Sequence, residues 1–178
     1  IGVNHMQAHI LAHFIDEPKP KFPFLCLTVS GGHTQIVVVK SHLEMEVIGE
    51  TIDDAVGEAF DKSAKMLGLQ YPGGPLIDKY AKLGEPIFQF ADVEMKDFDY
   101  SFSGLKTSIL YFLQKQVRLN ENFINENLND ICASIQKCLI DTLTKKLIKA
   151  ANKLEIKKIV IAGGVSANSG LRAELQRL

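Results

Sequence analysis

Three histidines near the start of the chain, His5, His9 and His13, recur at intervals of four. That spacing places neighbouring rings on one face of a helix. Two histidines at i and i+4 can grip one metal ion through their imidazoles. Three cannot do so easily, because eight residues of helix rise about 12 Å while a zinc–nitrogen bond is about 2.1 Å. Either His5 with His9 or His9 with His13 is therefore a candidate pair, and further ligands must come from elsewhere. The metalloprotease pattern His-Glu-x-x-His is absent, since Met6 stands where the general-base glutamate would be.

A second kind of chemistry is written in paired glycines. Thr28-Val-Ser-Gly-Gly-His-Thr34 lies between two short apolar runs, Phe22–Val29 and Gln35–Lys40. The arrangement predicts a β-hairpin. Glycines in its turn let a ligand approach the backbone, and the turn's amides can cradle a phosphate. A plain hairpin turn is the competing explanation. Tyr71-Pro-Gly-Gly-Pro75 repeats the close-approach logic. Gly163-Gly164 follows the apolar strand Lys157–Ala162 and precedes a helix starting near Asn168, the geometry of an anion or nucleotide site. Between these lies Ile52–Gly68, read as a helix capped by Asp53. Its Glu58, Asp61, Lys62 and Lys65 share a face, either as solvated ion pairs or as carboxylates that accept from sugar hydroxyls. Asp78 sits on a short helix from Pro75 to about Leu83.

The elements that must position these residues follow from the pattern. A helix over Val3–Asp16 ends at Glu17-Pro-Lys-Pro20, which proline cannot continue. The hairpin and a third strand over Leu43–Thr51 form a meander. Residues 84–100 read as an exposed loop, Ser101–Thr107 leads into an amphipathic helix ending near Leu119, and about 127–154 reads as a long helix. The lysines of its tail, Lys145, Lys146, Lys149 and Lys153, are expected to be solvated; a nucleic-acid backbone contact is the alternative.

Bulk properties narrow the class. The chain has 178 residues, 46% of them apolar, and a formal charge of −1, which argues neither for nor against a nucleic-acid partner. No run approaches the ~18 apolar residues of a membrane helix, so no membrane partner is expected. Cys26, Cys132 and Cys138 are expected to be reduced thiols in a cytoplasmic protein. The chain opens at Ile1 inside one helical pattern and ends at Leu178 inside another, as expected of a piece of a longer protein.

The order of these motifs resembles the second lobe of actin-like, hexokinase-like and Hsp70-like ATPase folds. Their wording is narrower. Val-Asn-His-Met-Gln-Ala-His, Val-Ser-Gly-Gly-His-Thr-Gln, Gly-Glu-Ala-Phe-Asp-Lys, Tyr-Pro-Gly-Gly-Pro, Ser-Phe-Ser-Gly-Leu-Lys-Thr and Ala-Gly-Gly-Val-Ser-Ala-Asn together resemble the TsaD family, bacterial type, formerly labelled glycoprotease. The resemblance implies an α/β fold of the actin-like and Hsp70-like kind, mainly its second lobe with a connecting helix, the first lobe missing. Residues 1–20 would be the inter-lobe helix and linker, and 21–178 an incomplete nucleotide-binding lobe.

The resemblance further implies transfer of threonylcarbamoyl from threonylcarbamoyl-AMP to the exocyclic amine of the adenosine 3′ of the anticodon, in tRNAs reading ANN codons. His5 and His9 match the family's catalytic metal ligands, for one divalent iron or zinc ion, and the third ligand, an aspartate, is expected beyond Leu178. Thr28, Val29, Ser30, Gly31 and Gly32 match the loop that holds the adenylate phosphate. Asp61, Gly74, Asp78 and Asn168 match further substrate contacts, and His13 matches none. The implied partners are tRNA and TsaB-like and TsaE-like proteins. An ATP-hydrolysing enzyme or phosphotransferase of the same fold is the alternative. The histidine pair speaks against it, since such enzymes rely on magnesium and carboxylates. A metalloprotease is the weaker alternative, given Met6.

Overall fold

The computed structural model describes residues 4–91 and 95–178. Its centre is a four-stranded sheet of order β3-β2-β1-β4. Strands β1 (Phe24–Val29), β2 (Thr34–Val39) and β3 (Met45–Glu50) form the expected antiparallel meander, and β4 (Ile159–Ala162) pairs parallel to β1. All six residues of β1 are buried, which is why it reads as a continuous apolar run and not as an alternation. The pleat sends its side chains alternately to two cores. Leu25, Leu27 and Val29 face a large core under the helices, while Phe24 and Cys26 face a small one with Ile10, Val37, Val39 and Ala162.

The small core is covered by α1 (His5–Leu11) and the 3-10 turn Ala12–Phe14. Asn4 caps α1, its side-chain oxygen accepting from the amides of Met6 and Gln7. The helix is shorter than the sequence suggests, and the expected start at Val3 lies outside the described residues. On the other face sit α2 (Val56–Met66), α3 (Gly73–Ala81), α4 (Ser103–Leu119), α5 (Phe123–Glu126), the long α6 (Leu128–Leu154) and α7 (Ser169–Arg177). Cys26 and Cys132 are buried free thiols, each pushed up to about 12 by desolvation.

Three expectations are corrected. Asp53 does not cap α2, whose N-cap is Ala55. It reaches across the chain and accepts from the amides of Phe102 and Ser103 and the hydroxyl of Ser101, fixing the start of α4. Burial pushes its carboxyl up, but those donors outweigh burial and hold it below the ordinary value.

Residues 84–100 are not simply an exposed loop. Phe88 and Phe90 pack on the large core, Phe98 is buried, and the fully buried Tyr100 donates its hydroxyl to the Leu143 carbonyl at 3.2 Å.

The lysine face of α6 is not solvated throughout. Lys146 is buried and donates to the carbonyls of Met95 and Asp97, Lys149 donates to Asp97, and Lys153 lies 5.3 Å from the Phe98 ring. Those three lysines fasten the 95–98 segment to the helix.

Candidate functional site

The sheet's carboxyl edge carries the site. β1 ends at Val29 and β4 at Ala162, parallel neighbours, so the turns after them open on the same side. Gly163 adopts φ +92°, a left-handed conformation that favours glycine, and its backbone presses on that of Val29. The two Gly-Gly turns are thereby locked together. Helix α2 enters from the third direction. The Gly57 amide donates to the Ser30 carbonyl at 3.2 Å, and a Cβ on Gly57 would lie 2.6 Å from that oxygen.

These elements enclose a cleft of about 320 Å³. It is lined by Gly31, Asp61, Gly74, Asp78 and Asn168, five of the nine expected substrate residues, together with Phe60, Tyr71, Gly164 and Val165 among others. Thr28, Val29, Ser30 and Gly32 do not line it. Thr28 is buried in β1 and donates its hydroxyl to the Gln35 carbonyl, and Val29 is buried in the large core. The first glycine turn also spends part of its donor capacity on itself. The Ser30 amide donates to the His33 carbonyl at 2.8 Å, and the His33 amide donates to the Ser30 hydroxyl at 3.1 Å. Only the Gly31 and Gly32 amides have no acceptor within the described residues. A phosphate cradle here therefore rests on two amides, where the motif allowed the whole Ser30–His33 turn.

The polar residues of the cleft are braced. Asp61 Oδ1 accepts from the amides of Gly73 and Gly74 at 2.8 and 3.1 Å. It so supplies the side-chain cap of α3, which begins at Gly73 and not at Pro75. Both of these bonds fall on that one oxygen. Asp78 accepts from the hydroxyl of Ser169 at 2.7 Å and its amide at 3.3 Å, with Lys82 at 3.5 Å. Burial pushes this carboxyl up, yet the Ser169 donors and Lys82 outweigh it and hold it below the ordinary carboxylate value. Asn168 caps α7 by accepting from the Leu171 amide at 2.9 Å, and its NH2 donates to Gln136 of α6 at 2.7 Å. Its amide group is thus spent on structure at both ends. Gln136 and Ser169 carry no motif of their own. They became visible only when α6 and α7 came together.

His5 and His9 lie on the other face of the sheet, on α1, and do not line the cleft. The Nε2 atoms of His5 and His9 are 3.1 Å apart and the rings meet edge-on at 4.6 Å. Two metal–nitrogen bonds of about 2.1 Å meeting at 90–109° require a nitrogen separation of about 3.0–3.4 Å, so the pair fits a chelated metal ion. Imidazole nitrogens suit iron and zinc alike. Among the described residues no group of three or more histidine, cysteine or acidic side chains gathers as a metal site. His13 takes a different part. Its ring nitrogen donates to the Ile161 carbonyl of β4 at 3.0 Å, tying the 3-10 turn to the edge strand. His13 thus has a structural partner on β4, whereas the His5 and His9 rings face each other.

A family model described as TsaD, tRNA N6-adenosine threonylcarbamoyltransferase, matches residues 1–178. The chain belongs to the TsaD family. Relatives named tRNA N6-adenosine threonylcarbamoyltransferase include those of Cytophaga hutchinsonii, 61% identical over 99% of this chain and 52% of that protein, and Riemerella anatipestifer, 59% identical over 99% and 53%. This TsaD-family chain spans about half the length of the curated relatives it matches. Among solved structures it is similar to component A of (R)-2-hydroxyglutaryl-CoA dehydratase from Acidaminococcus fermentans, with TM-score 0.55, 18% identity, and coverage of 97% of this chain and 57% of that one. It is also similar to the activator of 2-hydroxyisocaproyl-CoA dehydratase from Clostridium difficile, with TM-score 0.52, 15% identity, and coverage of 97% and 55%. These likenesses bear on the fold alone, and the fold is the actin-like ATPase one.

Proposed function

We propose that the full-length TsaD-family protein transfers threonylcarbamoyl from threonylcarbamoyl-AMP to the exocyclic amine of the adenosine 3′ of the anticodon in tRNAs reading ANN codons. The observation that carries this reading is the convergence of Gly31, Asp61, Gly74, Asp78 and Asn168 on one cleft, in a chain whose relatives bear that activity's name.

In this reading the cleft takes the adenylate. The Gly31 amide, with that of Gly32 just outside the cleft lining, donates to its phosphate, and the second oxygen of Asp61 accepts from a ribose hydroxyl. Asp78 and Asn168 act mainly by holding α3, α6 and α7 in place around it. His5 and His9 hold a divalent iron or zinc ion, which supplies Lewis-acid polarisation of a carbonyl when bound. In the transfer, the adenosine nitrogen forms a bond to the threonylcarbamoyl carbon, the bond from that carbon to the phosphate oxygen breaks, AMP leaves, and the amine loses a proton. Holding both reactants together contributes up to about 7–11 kcal/mol in well-oriented systems. No serine or cysteine nucleophile is invoked: Cys26 and Cys132 are buried and pushed up to about 12, away from the thiolate form.

Residues 1–20 serve as the inter-lobe helix and linker, 21–178 as the second lobe, and TsaB-like and TsaE-like proteins as partners in the cytoplasm. No helix among the described residues is long and apolar enough to cross a membrane.

The test supplies the full-length protein with threonylcarbamoyl-AMP labelled in threonine, unmodified tRNA and the partner proteins. Label should enter the RNA, and His5→Ala should abolish it. ATP hydrolysis without incorporation would overturn the reading in favour of an ATPase.

A further inference from the structure

The cleft has one large side chain that the fold does not use. Tyr71 is 85% exposed, yet its residue lines the cleft just ahead of α3. Burying an aromatic ring is among the larger apolar gains a chain can make, so a tyrosine left in water at the lip of a cleft stands out. No ring stacking partner is found for it among the described residues.

The wall contributed by the other Gly-Gly turn is equally suggestive. It consists of Gly164, Val165 and Ala167, and a Cβ placed on Gly164 would meet nothing within 4 Å. The same is true of Gly31. The cleft therefore presents bare backbone and a small apolar surface on the β4 side, and an unpartnered aromatic ring on the α3 side. Phe60 adds a buried apolar floor. The charged groups, Asp61 and Asp78, come from α2 and α3 and are already braced. A slot of this kind accepts a flat ring by its faces and offers that ring no second charge.

We propose that Tyr71 is the stacking wall for the nucleobase of the bound nucleotide, and so a specificity-determining residue that distinguishes a nucleotide from a bare sugar phosphate. This rests on the reading that the cleft takes an adenylate. Stacking uses the π-face, which phenylalanine also has, so the hydroxyl is dispensable. An aliphatic replacement loses the face.

The experiment is calorimetric titration of the full-length protein, as wild type, Tyr71→Ala and Tyr71→Phe, with AMP and with ribose 5-phosphate, alongside their melting temperatures. Tyr71→Ala should weaken AMP binding roughly 5- to 150-fold, the range seen for base–aromatic stacking. Tyr71→Phe should bind AMP like wild type, and ribose 5-phosphate should bind all three proteins equally. Unchanged AMP affinity in Tyr71→Ala overturns the proposal, as does an equal loss for ribose 5-phosphate, which would mark a structural role. Wild-type protein that binds neither compound overturns the adenylate reading itself, and the stacking role with it.

Discussion

The two faces of the sheet hold their functional groups in opposite ways. On the helical face three polar residues of the cleft are each tied to a second element: Asp61 to the start of α3, Asp78 to Ser169 of α7, Asn168 to Gln136 of α6. On the other face His5 is exposed and His9 half-buried on a seven-residue helix, and the contact found for their rings among the described residues is to each other. Those three side chains are already braced within the fold. The histidine pair is two ring nitrogens at chelating distance, 3.1 Å apart, with no third metal-ligating side chain gathered around them among the described residues. Preorganisation is the physical difference: bracing removes the entropy cost of ordering a site at binding.

That contrast can be broken or sharpened by experiment. The largest effect is expected at the histidines. His5→Ala or His9→Ala in the full-length protein should reduce metal affinity by at least about 100-fold, more than a supporting residue would. Because His5 is exposed and His9 only half-buried, melting temperature should change little. Metal analysis of purified variants with a parallel thermal melt checks both halves, and a large loss of stability would show that the pair also braces the fold.

Gly57→Ala tests the opposite region. The added methyl would lie 2.6 Å from the Ser30 carbonyl oxygen, so α2 and the glycine turn must separate. A loss of about 1–3 kcal/mol in denaturant unfolding is expected, as for other overpacked sites, with metal content intact.

Single braces come next. Asp61→Ala removes the acceptor for two amides at the start of α3 and should cost about 1 kcal/mol, the usual size for a lost helix cap. His13→Ala should cost about 0.5–1.5 kcal/mol through its lost bond to Ile161 and leave metal affinity unchanged. A fall in metal affinity there would return His9 with His13 as the chelating pair.

The smallest effect is the pH dependence of the Asp78 brace. Its carboxyl is held below the ordinary value, so ionisation favours the folded state. The stability it contributes is fully present above the unfolded value, about pH 4, and is lost as pH falls through the lowered folded value. Ser169→Ala should flatten that acid arm in melting temperatures measured from pH 7 to pH 3.

Much of this was legible in the sequence because it is local. Period-two and continuous apolar runs gave the meander and β4, a helical period gave α4 and α6, and paired glycines marked both turns at the sheet edge. The i, i+4 spacing of His5 and His9 is likewise a property of one helix and needs no tertiary partner. What remained hidden depends on residues far apart in the chain. Asp53 was read as the cap of the nearest helix, but it caps one that starts fifty residues later. Lys146 and Lys149 read as a solvated face, because nothing nearby in sequence announces that the carbonyls of Met95 and Asp97 will arrive to accept from them.

By itself, then, the sequence determined which groups could do chemistry: two imidazoles at chelating spacing, three glycine pairs, two aspartates. Only the tertiary structure decided how many of them are free to do it. Folding consumed two of the four amides in the Ser30–His33 turn, one oxygen of Asp61, the side chain of Asn168 and the ring of His13. The reason is that buried polar groups must find partners within the fold. Those partners are set by packing, and no periodicity along the chain reports them.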